Sequence, residues 1–324
     1  MTSENFVSAI VCTFNEEKCI QLNVRSILES DPRIQEVIIV DDNSTDKTKQ
    51  KVLELHDRRI KFFAKQGKNK IRGKNTSIFI GAKLASYENL LMIDADTRVI
   101  KTSSMIDMLL EGADLVGGVI SIKEDGRLLS HCEAIEYYIS IQKARPWLLK
   151  KFHYINNVSG AFFGIKRKRI IENKVPNSVV GEDMYITQIG IIQKWDIRLS
   201  DSEVITYAIP NIKALFIQRC RWIYGYWTVI NATGRKVPLI EMSTIWYRTL
   251  VTIAGIYAGS QFTVHYFILT FIVLALYFIN EYYKVRSVID SLLMMIYRQI
   301  NFVSALFFLI FGRNWRVLRS ITHH

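Results

Sequence analysis

Residues 89–96 read NLLMIDAD: the short run Asn89 to Ile93 ends on two carboxylates, Asp94 and Asp96, with Ala95 between them. A short apolar run closed by polar residues is the pattern of a strand buried on both faces, as in a sheet covered by helices. The same pattern recurs upstream. Phe6 to Thr13 (FVSAIVCT) reads as a buried strand, Val37 to Val40 (VIIV) as a second that ends in Asp41-Asp42-Asn43-Ser44, and Ile60 to Ala64 as a short third. Glu16 to Ser30 between them has helical periodicity through Ile20, Val24, Ile27 and Leu28, and Asp31-Pro32 marks the turn. Thr45 to His56 and Thr76 to Tyr87 read as further helices. Alternating strands and helices, with polar clusters at the carboxyl ends of strands, predict a doubly wound α/β fold that binds ligands at those ends.

Downstream, Val116 to Ile122, Gly160 to Ile165 and Ile197 to Tyr207 read as strands, and Cys132 to Gln142 and Glu182 to Gln193 as helices. No internal repeat or low-complexity stretch interrupts them. The character changes after Pro210. Ile212 to Ile230 is aromatic-rich and amphipathic, a candidate interfacial helix. Leu250 to Asn280 carries no Lys, Arg, Asp or Glu, and a second apolar stretch runs from Ser291 to Gly312, interrupted by Arg298. The expected organisation is a catalytic domain over residues 1–210, an amphipathic segment over 211–242 and a membrane-associated helical tail over 243–324. Arg313, Arg316 and Arg319 place the end of the chain on the cytoplasmic side with the catalytic domain, which requires an even number of crossings. Two pairs of spans satisfy this: Ser243–Ser260 with Phe262–Asn280, where Arg248 must snorkel, or Phe262–Asn280 with Ser291–Gly312. The N-terminus shows no signal-peptide pattern.

The 324 residues carry a formal net charge of +12, which fits nucleic acid, an anionic membrane surface or a phosphate-bearing substrate. No RNA-binding signature or zinc-finger spacing is present, so nucleic acid is not an expected partner. Cys12, Cys19, Cys132 and Cys220 form no C-x-x-C pair and no zinc set with histidine, and read as reduced thiols.

Five features carry chemistry. Asp94 and Asp96 at a strand end can share a divalent cation, Mg²⁺ or Mn²⁺, with donor phosphate oxygens; isolated D-x-D loops are common. Asp42 can accept the imide N–H of a uracil, while Asp42 or Ser44 can instead cap the following helix. The loop Gly67 to Lys74 (GKNKIRGK) places Lys70, Arg72 and Lys74 to steer a diphosphate, or is a solvated basic loop; its glycine spacing and Asn75 exclude a P-loop. Glu182 and Asp183 open a helix, where acids are favoured electrostatically, and an acid near a metal–diphosphate site can also act as a base. Gln218, Arg221 and Trp222 lie within about one helical turn and can bind phosphate and stack on a sugar, or anchor an interface.

Together these pieces resemble glycosyltransferase family 2, with its nucleotide-binding GT-A fold and mixed sheet. Val11 to Glu17 (VCTFNEE) is similar to that family's V-P-T-Y-N-E-E, Val40 to Thr48 (VDDNSTDKT) to V-D-D-G-S-T-D-x-T, and Arg72-Gly73-Lys74 to its basic G-K loop. Asp94-Ala95-Asp96, Glu182-Asp183 and Gln218 to Trp222 match the metal motif, the E-D pair and the Q-x-x-R-W of the membrane-bound branch, which includes hyaluronan, chitin and cellulose synthases and ceramide glucosyltransferase. Cys12 stands where the family has Pro, and the tail has fewer apolar spans than the polysaccharide synthases.

The resemblance implies a metal-dependent inverting transfer of a sugar from a nucleotide-sugar donor, a UDP-sugar by the Q-x-x-R-W match. The acceptor is then a lipid-linked or growing saccharide hydroxyl. Phe14, Glu16 and Asp42 hold the nucleoside, and Lys74 and Asp94 complete the donor site. Asp96 with Asp94 holds Mn²⁺ or Mg²⁺, and Asp183 is the catalytic base. Glu182, Gln218, Arg221 and Trp222 face the diphosphate and acceptor. An integral place in the cell membrane with the catalytic domain facing the cytoplasm follows, with a homo-oligomer or partner membrane subunits possible. Two rivals stand beside it: a polyprenyl-phosphate sugar transferase of the same fold, which does not need Trp222, and a non-catalytic membrane protein with an inherited nucleotide-binding domain.

Overall fold

The computed structural model describes residues 5–65, 73–234, 272, 274–279, 282–283, 285–300, 303–304 and 307. Lys70, Arg72, Arg248, the span Ser243–Ser260 and most of the two later apolar stretches lie outside them. Contacts divide the chain into two units: Met1–Lys123 with Arg145–Tyr207, and Glu124–Ala144 with Ala208–His324.

The first unit is built on one eight-stranded mixed sheet. Its strands are β1 (Val7–Thr13), β2 (Ile34–Asp41), β3 (Ile60–Ala64), β4 (Asn89–Asp94), β5 (Thr97–Lys101), β6 (Leu115–Lys123), β7 (Phe162–Lys166) and β8 (Ile197–Tyr207), in the spatial order β3-β2-β1-β4-β7-β6-β8-β5. β3, β2, β1 and β4 run parallel, and β7 is antiparallel to β4 and β6. This is the α/β sheet expected from the alternating runs. Val7, Ala9, Ile10, Val11, Val37 to Val40, Leu90 and Leu91 are all fully buried, so both faces of the central strands are covered and the runs show no polar alternation.

The helices of this unit are α1 (Ile20–Ser30), α2 (Thr48–Leu53), α3 (Lys74–Leu84) and α4 (Ser103–Leu110), together with α6 (Arg145–Phe152), α7 (Arg167–Glu172) and α8 (Glu182–Ile192). Of these, α1 packs on β2 and β5, α3 on β1 and β2, and α4 on β6, β7 and β8. Strand β5 and helix α4 have no counterpart in the sequence reading: both are short, and β5 pairs with β8, far along the chain. Helix α2 starts three residues later than expected. Neither Asp42 nor Ser44 caps it, since Asp46 takes the Thr48 amide and Glu17 the Lys47 amide.

The second unit contains α5 (Leu128–Tyr137), continued by a π-helical turn Tyr138–Ala144, then α9 (Ile212–Thr233) and α10 (Val288–Tyr297). Asn211 caps α9 by accepting the Ala214 amide at 2.9 Å, and Gly234 in the left-handed region ends it. Cys132, Ile135, Ile139, Leu215, Met294 and Tyr297 form its apolar core. His131 bridges Glu124 and Asp290, 2.9 Å from each. Among the described residues no helix is long and apolar enough to cross a membrane.

Helix α3, which begins at Lys74, is seated on β1 through a close approach: a Cβ on Gly81 would fall 2.6 Å from Cγ2 of the fully buried Ile10. Gly81→Ala therefore overpacks this contact by about 1–3 kcal/mol, against a helix-propensity gain of at most about 1 kcal/mol. Chemical denaturation is expected to show net destabilisation, and the loss in a Gly81→Ala, Ile10→Ala double variant should be smaller than the sum of the two single losses. A stabilised Gly81→Ala protein would refute the seating.

Candidate active site

Register places the motifs side by side. Cys12 on β1 is flanked by Val40 on β2 and Asp94 on β4, and Thr13 pairs with Asp41, so the Asp42 and Asp94 strand ends stand on either side of one strand. At a spacing of about 4.8 Å per strand, the two ends lie roughly 10 Å apart. The turns after β1 and β2 interlock. Asn15 and Asn43 both take left-handed backbone, at φ 57° and 67°, a conformation asparagine tolerates. The Asn15 amide donates to Ser44 Oγ at 2.8 Å, and Asn15 Oδ1 accepts from the Thr45 amide at 2.8 Å. The Glu16 amide donates to Thr48 Oγ1 at 2.8 Å and the Glu17 amide to Asp46 at 3.1 Å. This lattice leaves Phe14 half-exposed at the sheet's edge and turns Glu16 toward the charges of Asp96 and Asp46.

The Asp94–Thr97 turn is pinned from below by Asn23 of α1, a fully buried residue absent from the sequence reading. Its Nδ2 donates to the carbonyls of Asp94 and Thr97, at 2.9 and 2.8 Å. Thr97 Oγ1 donates to the Asp94 carbonyl as well, and the Asp94 amide donates to Ala161 at the entry to β7. An asparagine inside a helical run carries no sequence signal of its own; only its burial exposes its role.

Lys74 draws the remaining acids together. Its Nζ lies 2.6 Å from Asp94 Oδ1 and 2.7 Å from Glu182 Oε1, and donates to the Gly160 carbonyl at 3.3 Å. The amide of that same Gly160 donates to Asp183 Oδ2 at 3.0 Å, and Asn157 Nδ2 donates to the same oxygen at 2.9 Å. Asp183 Oδ1 accepts the Met184 amide at 2.8 Å. One residue thus links Lys74, through its carbonyl, to Asp183, through its amide. Neither Gly160, read from the sequence only as the start of a strand, nor Asn157 carries a motif of its own, and β7 begins two residues later, at Phe162.

The electrostatics follow from crowding. Burial, reinforced by the Asp96 charge and only partly opposed by Lys74, pushes the Asp94 carboxyl up to about 6. About a third of the Lys74 and Asp94 side chains stays accessible (33% and 31%), so this is the floor of an open cleft and not a sealed interior. Burial and the neighbouring Glu182 raise the Asp183 carboxyl, against the donors Asn157 and Met184 N–H. Burial also disfavours the charge on Lys74, but Asp94 and Glu182 more than offset it and hold the ammonium well above its usual range. Burial pushes the Cys12 thiol up to about 12, and burial with a hydrogen bond to Glu16 raises Cys19 as well.

Asp42 is anchored: Oδ1 pairs with Lys65 Nζ at 2.9 Å and Oδ2 accepts the Gly73 amide at 2.7 Å. Gly73 sits at φ 116° and ψ 152°, a backbone state essentially restricted to glycine. Each Asp42 oxygen retains a lone pair for an incoming donor. Among the described residues no three His, Cys, Asp or Glu side chains group to hold a metal. The carboxylates of Asp94 and Asp96 nonetheless repel each other in a crowded site, and an all-oxygen pair suits a hard cation that takes its other ligands from phosphate and water. Gln218, Arg221 and Trp222 lie on α9 in the second unit, with Arg221 and Trp222 exposed and Gln218 half-buried.

An α/β fold that gathers acids and a lysine at the carboxyl ends of parallel strands places them where such sheets bind ligands. The model described as "Glycosyl transferase family 2" matches residues 8–171, and that described as "Glycosyl transferase family group 2" matches residues 90–311. The chain belongs to glycosyltransferase family 2. It is 33% identical over 174 residues to the GalNAc(5)-diNAcBac-PP-undecaprenol beta-1,3-glucosyltransferase of Campylobacter jejuni, covering 52% of this chain and 53% of that one. It is 24% identical over 267 residues to the poly-beta-1,6-N-acetyl-D-glucosamine synthase of Staphylococcus epidermidis, covering 78% of this chain and 62% of that one. The chain thus spans between half and two thirds of the length of these curated relatives. Its GT-A-like fold is shared with a mannosyltransferase from Pyrobaculum calidifontis solved with GDP-Man and Mn²⁺, at TM-score 0.64 and 17% identity over 93% of this chain and 86% of that one.

Breaking a buried ion pair by removing one partner costs about 3–5 kcal/mol, and the accessibility of Lys74 reduces this to about 1–2 kcal/mol. Lys74→Met is expected to lose that much in denaturant titration. A Glu182→Gln, Lys74→Met double variant should recover part of it, and full additivity of the two losses would argue against the pair.

Proposed function

We propose that this enzyme is a metal-dependent inverting glycosyltransferase that moves a sugar from a nucleotide-sugar, a UDP-sugar in the reading adopted here, to an acceptor hydroxyl. The acceptor is a lipid-linked or growing saccharide at a membrane. The observation that carries this reading is the residue Gly160, whose carbonyl accepts from Lys74 and whose amide donates to Asp183, with Asp94 and Glu182 on the same ammonium. An anion-steering cation and a candidate base are thereby fixed to one piece of backbone.

In this proposal Phe14 stacks on the base, Glu16 and Asp42 hold the nucleoside, and Lys74 faces the diphosphate. Asp94 and Asp96 would hold Mn²⁺ or Mg²⁺, which supplies positive charge beside the departing diphosphate. The base is Asp183. It takes the proton of the acceptor hydroxyl, whose oxygen bonds to the anomeric carbon as the bond to the diphosphate oxygen breaks. A single displacement of this kind inverts the anomeric centre. The raised Asp183 carboxyl favours proton acceptance, and the Gly160 and Asn157 donors orient it. Glu182, Gln218, Arg221 and Trp222 contact the diphosphate and the acceptor end.

Residues 1–210 make up the catalytic domain in this reading, 211–242 carry the Gln218 to Trp222 motif, and 243–324 attach the enzyme to the cell membrane. The undecaprenol-linked acceptor in the name of the Campylobacter relative and the polymer in the name of the Staphylococcus relative support an acceptor of lipid-linked or polysaccharide type.

Asp183→Asn is expected to lower transfer by about 10³-fold or more while donor affinity, measured by equilibrium dialysis with a radiolabelled UDP-sugar, stays within about threefold. Turnover at the parental rate would remove Asp183 from the mechanism. Chelation with EDTA should abolish transfer and added Mn²⁺ or Mg²⁺ should restore it; activity indifferent to EDTA rules out the assignment to Asp94 and Asp96. A donor panel with products split into lipid-soluble and polymeric fractions identifies sugar and acceptor together.

A further inference from the structure

Arg219 sits inside the motif on α9, yet the proposed chemistry uses only its neighbours. It is 3% exposed, which denies it a direct contact with substrate. Its Nη2 pairs with Glu136 of α5 and donates to Tyr297 Oη of α10 at 2.8 Å. Among the described residues, Nε and Nη1 have no hydrogen-bond partner. The guanidinium carbon lies 4.1 Å from the ring centroid of Trp222, three residues on along the same helix face, and 5.9 Å from that of Tyr297. The three N–H bonds of Nε and Nη1, unpaired among the described residues, leave the aromatic ring as the buried cation's main remaining partner there, and a desolvated guanidinium over an indole is the favourable cation–π case.

Trp222 itself is 39% exposed. An indole with that much free surface has little apolar packing to select one rotamer. The stack supplies the selection, and the grip of Glu136 and Tyr297 on the guanidinium makes that stack a fixed reference. All four residues belong to the second unit, on three different helices.

We propose that Arg219 is a positioning residue for Trp222: Glu136 and Tyr297 fix the guanidinium, and the guanidinium fixes the indole in the orientation used in sugar transfer. The inference rests on the role of Trp222 proposed above. It also gives α10 a part in the reaction, through one phenolic hydroxyl.

The test uses the full chain. Arg219→Lys keeps the charge beside Glu136 but loses the planar stack. Iodide quenching of the Trp222 fluorescence, taken as the difference from Trp222→Phe, should rise two- to threefold in Arg219→Lys. It should rise less in Tyr297→Phe, with both thermal midpoints near the parental value. Transfer should fall at least fivefold in kcat for Arg219→Lys with little change in donor KM. In a Trp222→Leu background, Arg219→Lys should cost no more than a further twofold. Unchanged quenching, or losses that multiply in the double variant, would overturn the positioning role and leave Arg219 purely structural. Full activity in Trp222→Leu would instead overturn the role of Trp222, and this inference with it.

Discussion

The site depends on one ammonium group among carboxylates. Asp94, Asp96, Glu182 and Asp183 come from distant parts of the chain, and gathering their charges at a crowded strand edge is unfavourable without a counter-charge. Lys74 supplies it with ion pairs to Asp94 and Glu182. Position matters as much as charge. Lys74 is the first residue of α3, the helix follows Gly73 in its glycine-only conformation, and Gly81 lets the helix sit down on β1. The ammonium is therefore delivered by backbone geometry, and the acids arrange themselves around it.

The same crowding separates the acids by role. Asp183 receives three neutral donors and lies beside Glu182, while Asp94 receives a cation and lies beside Asp96. One carboxylate is thus oriented by dipoles and the other neutralised by charge. The donors fix the orientation of Asp183 and favour its charged form while burial raises its carboxyl against them, and Lys74 likewise opposes burial at Asp94.

Much of this was legible in the sequence, for identifiable reasons. Buried strands with no polar face stand out as apolar runs, and acids at their ends stand out by contrast, so the sheet, Asp42, Asp94 and the Glu182-Asp183 helix start could all be read. What could not be read acts through single hydrogen-bonding groups, most of them on the backbone. Asn23 works by donating to two carbonyls, Gly160 by offering its own amide and carbonyl, and Asn157 by orienting a carboxylate. None of these requires a patterned neighbour, so none leaves a motif. Strand β5 was missed because its pairing partner β8 lies about a hundred residues away, and long-range antiparallel pairing has no local signature. The expected cap on α2 was misplaced because Asp41 and Asn15 claim the Ser44 turn.

The two thiols Cys12 and Cys19, beside the carboxyl ends of the central strands, carry a practical consequence. Cys12 lies between the Asp42 and Asp94 strands, and Cys19 donates to Glu16 at 2.9 Å, yet burial and adjacent acids keep both in the protonated state at ordinary pH. Alkylating reagents attack the anion, so these sulfurs are slow targets despite their location. Resistance to such reagents is accordingly compatible with cysteines at the heart of the cleft, and covalent inhibitors aimed there need an electrophile that does not rely on a preformed thiolate.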